Sequence, residues 1–75
     1  MRKFELVRLS ELNPGDRFYF PGNKSKVYTF ESKNKTNFDW KFEYKDNGIL
    51  TKTSINRKCV FLRNINPKIK NNDKM

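Results

Sequence analysis

The side chains here with chemistry to offer are cations and aromatics. Seven Phe, three Tyr and one Trp stand among 17 Lys and Arg in 75 residues. Such a mixture suits ligands that carry bases and phosphates. An aromatic ring stacks on any base, and a guanidinium grips phosphate through two parallel hydrogen bonds. Catalysis has no comparable material. The chain has no histidine, which removes the commonest general base. No serine or cysteine is placed with a base and an orienting partner. The acids form no dyad: Asp16 closes a turn, while Asp39 and Glu43 fall on the solvent side of a strand. Pro14-Gly15 and Pro21-Gly22 are single-glycine turns, not a glycine-rich phosphate loop. The expectation is a binding protein, not an enzyme, with no cofactor and no metal.

Strand parity nominates the site. Successive residues of a strand point to opposite faces. With Phe18 and Phe20 inward, Arg17 and Tyr19 point outward. A four-residue loop over 22–25 pairs Phe20 with Val27 and Tyr19 with Tyr28. Arg17, Tyr19 and Tyr28, with Phe30 as a further candidate, then share an outer face, with Lys26 at its edge. A register shifted by one residue instead sends Tyr28 and Phe30 into the core and leaves Tyr19 alone outside. Arg57 and Lys58 precede the last strand and are placed to close a phosphate site with Arg17, or simply to be a solvated pair. Trp40 lies on an apolar face, so it reads as core, with a barrel mouth or dimer seam as its functional alternative. Cys59 sits in the apolar run Cys59-Val60-Phe61-Leu62 and reads as small hydrophobic filler.

The elements that must position these residues read as short strands between turn signals. Lys3 to Leu9 is a strand with Phe4 and Leu6 as its alternating apolar residues. Leu9 to Leu12 is one tight helical turn. Asn13-Pro14-Gly15-Asp16 has the chemistry of a type II turn, with Pro presetting φ and Gly supplying φ > 0. Arg17–Phe20 and Lys26–Glu31 follow as strands, and Ser32–Asn37 as a polar loop. From Phe38 to Lys45, Phe38, Trp40, Phe42 and Tyr44 alternate with Asp39, Lys41, Glu43 and Lys45, the period of a half-buried strand. Asn47-Gly48 then predicts a two-residue type I′ hairpin. That turn pairs Tyr44 with Thr51, Phe42 with Thr53 and Trp40 with Ile55. It also sets Glu43 against Lys52, an exposed ion pair worth under ~1 kcal/mol. Lys58–Arg63 is the last strand, and the polar chain after Asn64 is expected to fray.

Five or six short strands with tight turns predict an all-β fold, a small SH3-like barrel formed by residues 1–63, with residues 64–75 a basic tail. A chain of this length buries only ~60% of its unfolded surface, so an oligomeric partner is one expectation. The net charge is +9. The last twelve residues hold three lysines and one aspartate, so the excess lies mainly in the barrel. Such a field attracts nucleic acid, nucleotides, anionic lipid or acidic proteins. No apolar run approaches the roughly 18 residues of a membrane span, and Met1-Arg2-Lys3-Phe4 carries no signal-peptide core. With a lone unpaired thiol, the expected location is cytoplasmic, without membrane partners.

The segment Leu9-Ser10-Glu11-Leu12-Asn13-Pro14-Gly15-Asp16-Arg17-Phe18-Tyr19-Phe20, followed by Val27-Tyr28, resembles small phage-encoded SH3-like barrel proteins with an L-x-x-L-x-x-G-D-x-F opening. It covers about a third of the chain. Some proteins of this kind are sponges that sequester the cyclic nucleotide signals of bacterial anti-phage immunity without enzymatic activity. The resemblance implies immune evasion by nucleotide capture in a bacterial host's cytoplasm. No ligand motif is carried by it, so Arg17, Tyr19, Lys26, Tyr28, Trp40, Arg57 and Lys58 rest on parity and charge alone. A single-stranded DNA or RNA binding barrel is the alternative expectation. An inhibitor of an acidic host protein is a third.

Overall fold

A computed structural model describes residues 2–65. Six antiparallel strands form one sheet: β1 (Leu6–Arg8), β2 (Asp16–Tyr19), β3 (Tyr28–Lys35), β4 (Trp40–Asp46), β5 (Ile49–Thr53) and β6 (Lys58–Asn64), in the spatial order β1-β6-β2-β3-β4-β5. The all-β, small-barrel expectation holds. A lone sheet has no second layer to cover its apolar face, so it curls around that face. The enclosed core draws on most of the elements: Val7, Leu9, Leu12, Phe18, Phe20, Phe30, Phe42, Tyr44, Cys59 and Phe61. Three of its rings, Phe18, Phe20 and Tyr44, and the half-buried Tyr28 against them pack edge-on or tilted at 5.0–6.0 Å.

The turn chemistry works as read. Leu9–Glu11 is a single 3-10 turn, bound to the far side of the chain by Ser10 N–H to Asn56 Oδ1 (3.0 Å) and Asn56 Nδ2 to Ser10 Oγ (3.0 Å). Asp16 N–H donates to Asn13 O (3.0 Å) around Gly15, whose φ is +92°. The Asp16 carboxylate is buried. It accepts from Asn13 N–H and from Asn64 Nδ2, both at 2.7 Å, and so ties the start of β2 to the end of β6. Asn47 and Gly48 have φ of +55° and +85°, the two positive values a type I′ turn needs. The hairpin registers Phe42 with Thr53, Glu43 with Lys52 and Tyr44 with Thr51.

Several boundaries differ from the reading. The predicted Trp40–Ile55 pair does not form. β5 ends at Thr53, where Thr53 Oγ1 accepts the Ile55 N–H and the chain turns away toward Asn56. Phe38 is 94% exposed and outside β4, because Thr36 Oγ1 accepts from the N–H groups of Phe38 and Asp39 and holds a tight turn there. Ser32–Lys35, expected as loop, continues β3 and pairs with β4. At the N-terminus the apolar parity is reversed. Val7 and Leu9 point inward, while Phe4 and Leu6 remain 62% and 54% exposed. The expected fraying of the tail falls on residues 66–75, outside the described residues, except for Asn64 and Ile65.

Two bulges decide which side chains face out. Between β2 and β6, Arg17 faces Arg63 and Phe18 faces Phe61, so Leu62 is an extra residue. Between β3 and β4, Phe30 faces Tyr44 and Ser32 faces Glu43, so Glu31 is extra. A bulge shifts the parity of everything beyond it. Past Glu31, Lys33 and Lys35 therefore take the positions opposite the inward residues Phe42 and Trp40.

Candidate anion-binding face

Arg17 is the centre of the outer face. It lines two adjoining grooves, and Val27 lines both with it. The larger, ≈ 740 Å³, also includes Lys26, Thr29, Glu31, Lys45 and Asp46. The smaller, ≈ 320 Å³, is formed by Lys3, Phe4, Arg17, Val27, Leu62 and Arg63. Three cations surround an apolar floor in the smaller groove, and none of its lining residues is acidic.

Two features of the smaller groove run against simple folding economy. Arg17 and Arg63 sit directly opposite each other on β2 and β6, and like charges so placed are destabilising. In addition, Arg17 Nε is shielded from water and has no hydrogen-bond partner. A buried donor left unsatisfied costs about 1–3 kcal/mol. Neither residue has an ion pair among the described residues. An oxyanion between them would relieve both costs.

Phe4 lies beside this pair in an unusual backbone conformation, φ +66°, which a bulky residue rarely adopts. The turn around it is held by Glu5 N–H to Arg2 O (2.9 Å), Arg2 N–H to Glu5 Oε1 (2.8 Å) and Phe4 N–H to Phe61 O (2.6 Å). The result is an exposed ring, with Lys3 Nζ 5.3 Å from its centroid.

The predicted site residues separate into groups. Arg17, Tyr19 and Lys58 share the outer face of the β2–β6 pair. Tyr19 is half-buried opposite Val60, and Lys58 is exposed opposite Arg8. Lys26 joins Arg17 in the larger groove, as expected. It is paired there with Asp46 at 3.2 Å, a contact that raises the ammonium's pKa.

Tyr28 requires a correction. It faces Phe18, not Tyr19, and its ring packs inward against Phe18, Phe20 and Tyr44. The link from β2 to β3 is not a four-residue loop but two successive tight turns, Asn23 N–H to Phe20 O and Lys26 N–H to Asn23 O. They advance the register by one residue. The grouping of Tyr28 with Arg17 and Tyr19 is therefore lost, and Phe30, the further candidate for that face, is fully buried in the core.

Arg57 does not join Arg17 either. Its guanidinium carbon lies 3.8 Å from the Phe20 ring centroid, a cation–π stack at the edge of the core. Trp40 stacks on Phe42 at 5.3 Å and 16° and carries Lys35 Nζ 5.2 Å from its ring. It is half-buried against the core. Cys59 is buried, and burial pushes its thiol up to about 12, which suits filler and not a nucleophile.

Parity missed Lys3, Phe4, Leu62 and Arg63. For Leu62 and Arg63 the missing signal is the bulge, and for Phe4 the left-handed backbone. Neither is written in a period-two pattern. No protein-family model matches this sequence, and neither the curated proteins nor the solved structures compared with it contain a match.

Proposed function

We propose that this chain is a non-enzymatic binding protein that captures a base- and phosphate-bearing ligand on the outer face centred on Arg17. The observation that carries this reading is the Arg17–Arg63 pair, with Arg17 Nε buried and unpartnered. Two guanidiniums facing each other across neighbouring strands match a phosphate group, and arginine's rigid fork favours bidentate contact with it. Lys3 adds a third charge. The exposed ring of Phe4, beside Leu62 and Val27, offers a surface for a base.

Two forms of ligand meet this chemistry. The first is a free cyclic nucleotide, sequestered as in the phage sponges that the opening segment resembles. Tight capture of a small ligand needs burial on most of its sides, so this form calls for a second copy closing over the groove. The second form is a single strand of DNA or RNA, which needs only an open face. The openness of the grooves on a single copy favours the strand.

Calorimetric titration with cyclic dinucleotides and with a ten-nucleotide oligothymidylate, each at low and high salt, tests the reading. Binding of either, lost in Arg17→Ala, is the expected result. A steep fall of affinity with salt marks the strand. Binding of neither ligand would overturn the proposal and leave an acidic protein partner as the reading to pursue.

A further inference from the structure

We propose that the outer face of β6 and its neighbours is a track for a single-stranded nucleic acid, with a second phosphate clamp at Arg8 and Lys58. This inference rests on the phosphate reading of Arg17 and Arg63 and extends it to a class of ligand.

The two sides of the sheet differ in charge. On the β4–β5 side of the sheet, opposite charges meet across strands: Glu43 faces Lys52, their charged atoms 3.9 Å apart. On the β1–β6–β2 side, cation faces cation twice, Arg8 against Lys58 and Arg17 against Arg63. Both pairs lie outward. Val7 and Cys59, which alternate with the first pair, are buried, as are Phe18 and Phe61 next to the second. Glu11 accepts from Arg8 N–H and Glu5 from Arg2 N–H, while Glu31 lines the larger groove beside Arg17 and not the smaller one. Each like-charged pair is unfavourable in the free protein, and a polyanion relieves both together.

Between the two clamps the face is apolar and aromatic. Tyr19, Val60 and Leu6 form one row across β2, β6 and β1, and Leu62 stands next along β6. At about 3.3 Å per residue, Lys58 to Arg63 spans about 16 Å. That is about four to five nucleotides at a stacked rise of ~3.4 Å per nucleotide, within the usual site size for small strand-binding barrels. Phosphates at both ends with bases across Tyr19 and its row describe one continuous ligand. A lone mononucleotide cannot reach both clamps.

Fluorescence anisotropy with labelled oligothymidylates of two, five and ten nucleotides tests the track. Affinity should rise steeply from two to five nucleotides and then level off. The double variant Arg8→Ala/Lys58→Ala should weaken the ten-mer several-fold, lower its salt slope by about two, and leave the two-mer unchanged. Lys58→Glu alone should act in the same direction. Both positions are exposed, and circular dichroism confirms the fold of each variant. Tyr19→Ala should weaken the ten-mer but not inorganic polyphosphate, which has no bases.

If the Arg8/Lys58 variants bind the ten-mer like the parent while Arg17→Ala does not, the track is wrong and the single phosphate site stands. If Tyr19→Ala leaves the ten-mer unchanged, or weakens polyphosphate equally, no base stacks on this ring and the nucleic-acid assignment fails. If Arg17→Ala and Arg63→Ala leave every ligand unaffected, the underlying phosphate reading falls with the track.

Discussion

Replacing Arg17 with methionine should make the free protein more stable. The structure places two costs on this side chain. Nε is buried without a partner, which carries a penalty of about 1–3 kcal/mol. The opposing Arg63 adds a cross-strand repulsion of up to ~1 kcal/mol. Methionine removes both and keeps an aliphatic stem against Val27 and Leu62, the part of an arginine that packs. Some of the gain is lost because guanidinium atoms other than Nε reach water. A net stabilisation of about 1–2 kcal/mol is the expectation. For a domain this small, 1 kcal/mol moves Tm by about 4–8 °C.

Differential scanning calorimetry at low salt and at 1 M salt separates the two contributions. At 1 M the screening length is only ~3 Å, so the repulsion fades while the Nε penalty remains. Arg17→Met should therefore keep most of its advantage in salt. If the proposed phosphate site is right, the same variant should lose affinity for phosphate-bearing ligands, a trade-off of binding against stability. A Tm several degrees below the parent's would refute the reasoning, because it would show that Arg17 makes contacts the fold depends on.

Other outcomes follow from the same geometry. Gly48→Val should destabilise by more than ~1 kcal/mol in a denaturant titration, because φ at Gly48 is +85° and a β-branched side chain resists that region. Tyr28→Ala should lower Tm sharply, through loss of a ring packed on three others, whereas Tyr19→Ala should leave Tm near the parent's; equal melts would put the β2–β3 register in doubt. Cys59 should resist thiol reagents at pH 8 until the protein unfolds, since its pKa is pushed up to about 12. Burial raises the Tyr44 hydroxyl's pKa as well. In both groups the folded state holds the proton more tightly than the unfolded chain, so their contribution to stability is complete below about pH 9 and falls as pH climbs beyond it. An alkaline melt series that stayed flat above pH 9 would contradict that.

How far the sequence could be read depended on whether one period held through a strand. From Trp40 to Thr53 it did. A clean alternation and an Asn-Gly turn specify the partners of Phe42, Glu43 and Tyr44, and the structure has those three pairs, though not the Trp40–Ile55 pair that the same alternation predicts. Asn13-Pro14-Gly15-Asp16 was legible for the same reason, since few backbone conformations accept that order of residues. β3 was not legible. The bulge at Glu31 breaks its alternation, so Ser32–Lys35 looked like a polar loop although it is paired with β4. The β2–β3 link was ambiguous by one residue, and one residue sends Tyr28 from surface to core. The N-terminal segment is not legible because Phe4 and Leu6 are large and apolar yet exposed, and apolar size ordinarily orients a strand toward the core.

That last failure and the candidate site have the same physical origin. A small barrel needs its large apolar residues inside, and this chain leaves Phe4 and Leu6 outside and keeps Phe4 in a strained backbone beside two opposed arginines. Folding alone favours none of these choices. The bulge at Leu62 brings Leu62 and Arg63 to the outer face together, one apolar and one charged, next to Arg17. An ordinary ladder would alternate them and bury one of the two. Local departures from the folding rules gather at one place, where an aromatic ring, an apolar floor and paired guanidiniums adjoin. Such gatherings mark where a sequence answers to a ligand as well as to its own core. By that reasoning the proposed binding face is placed along β1, β6 and β2, where the strand pattern misleads, and not on the β4–β5 hairpin, where alternation, turn chemistry and charge pairing all agree.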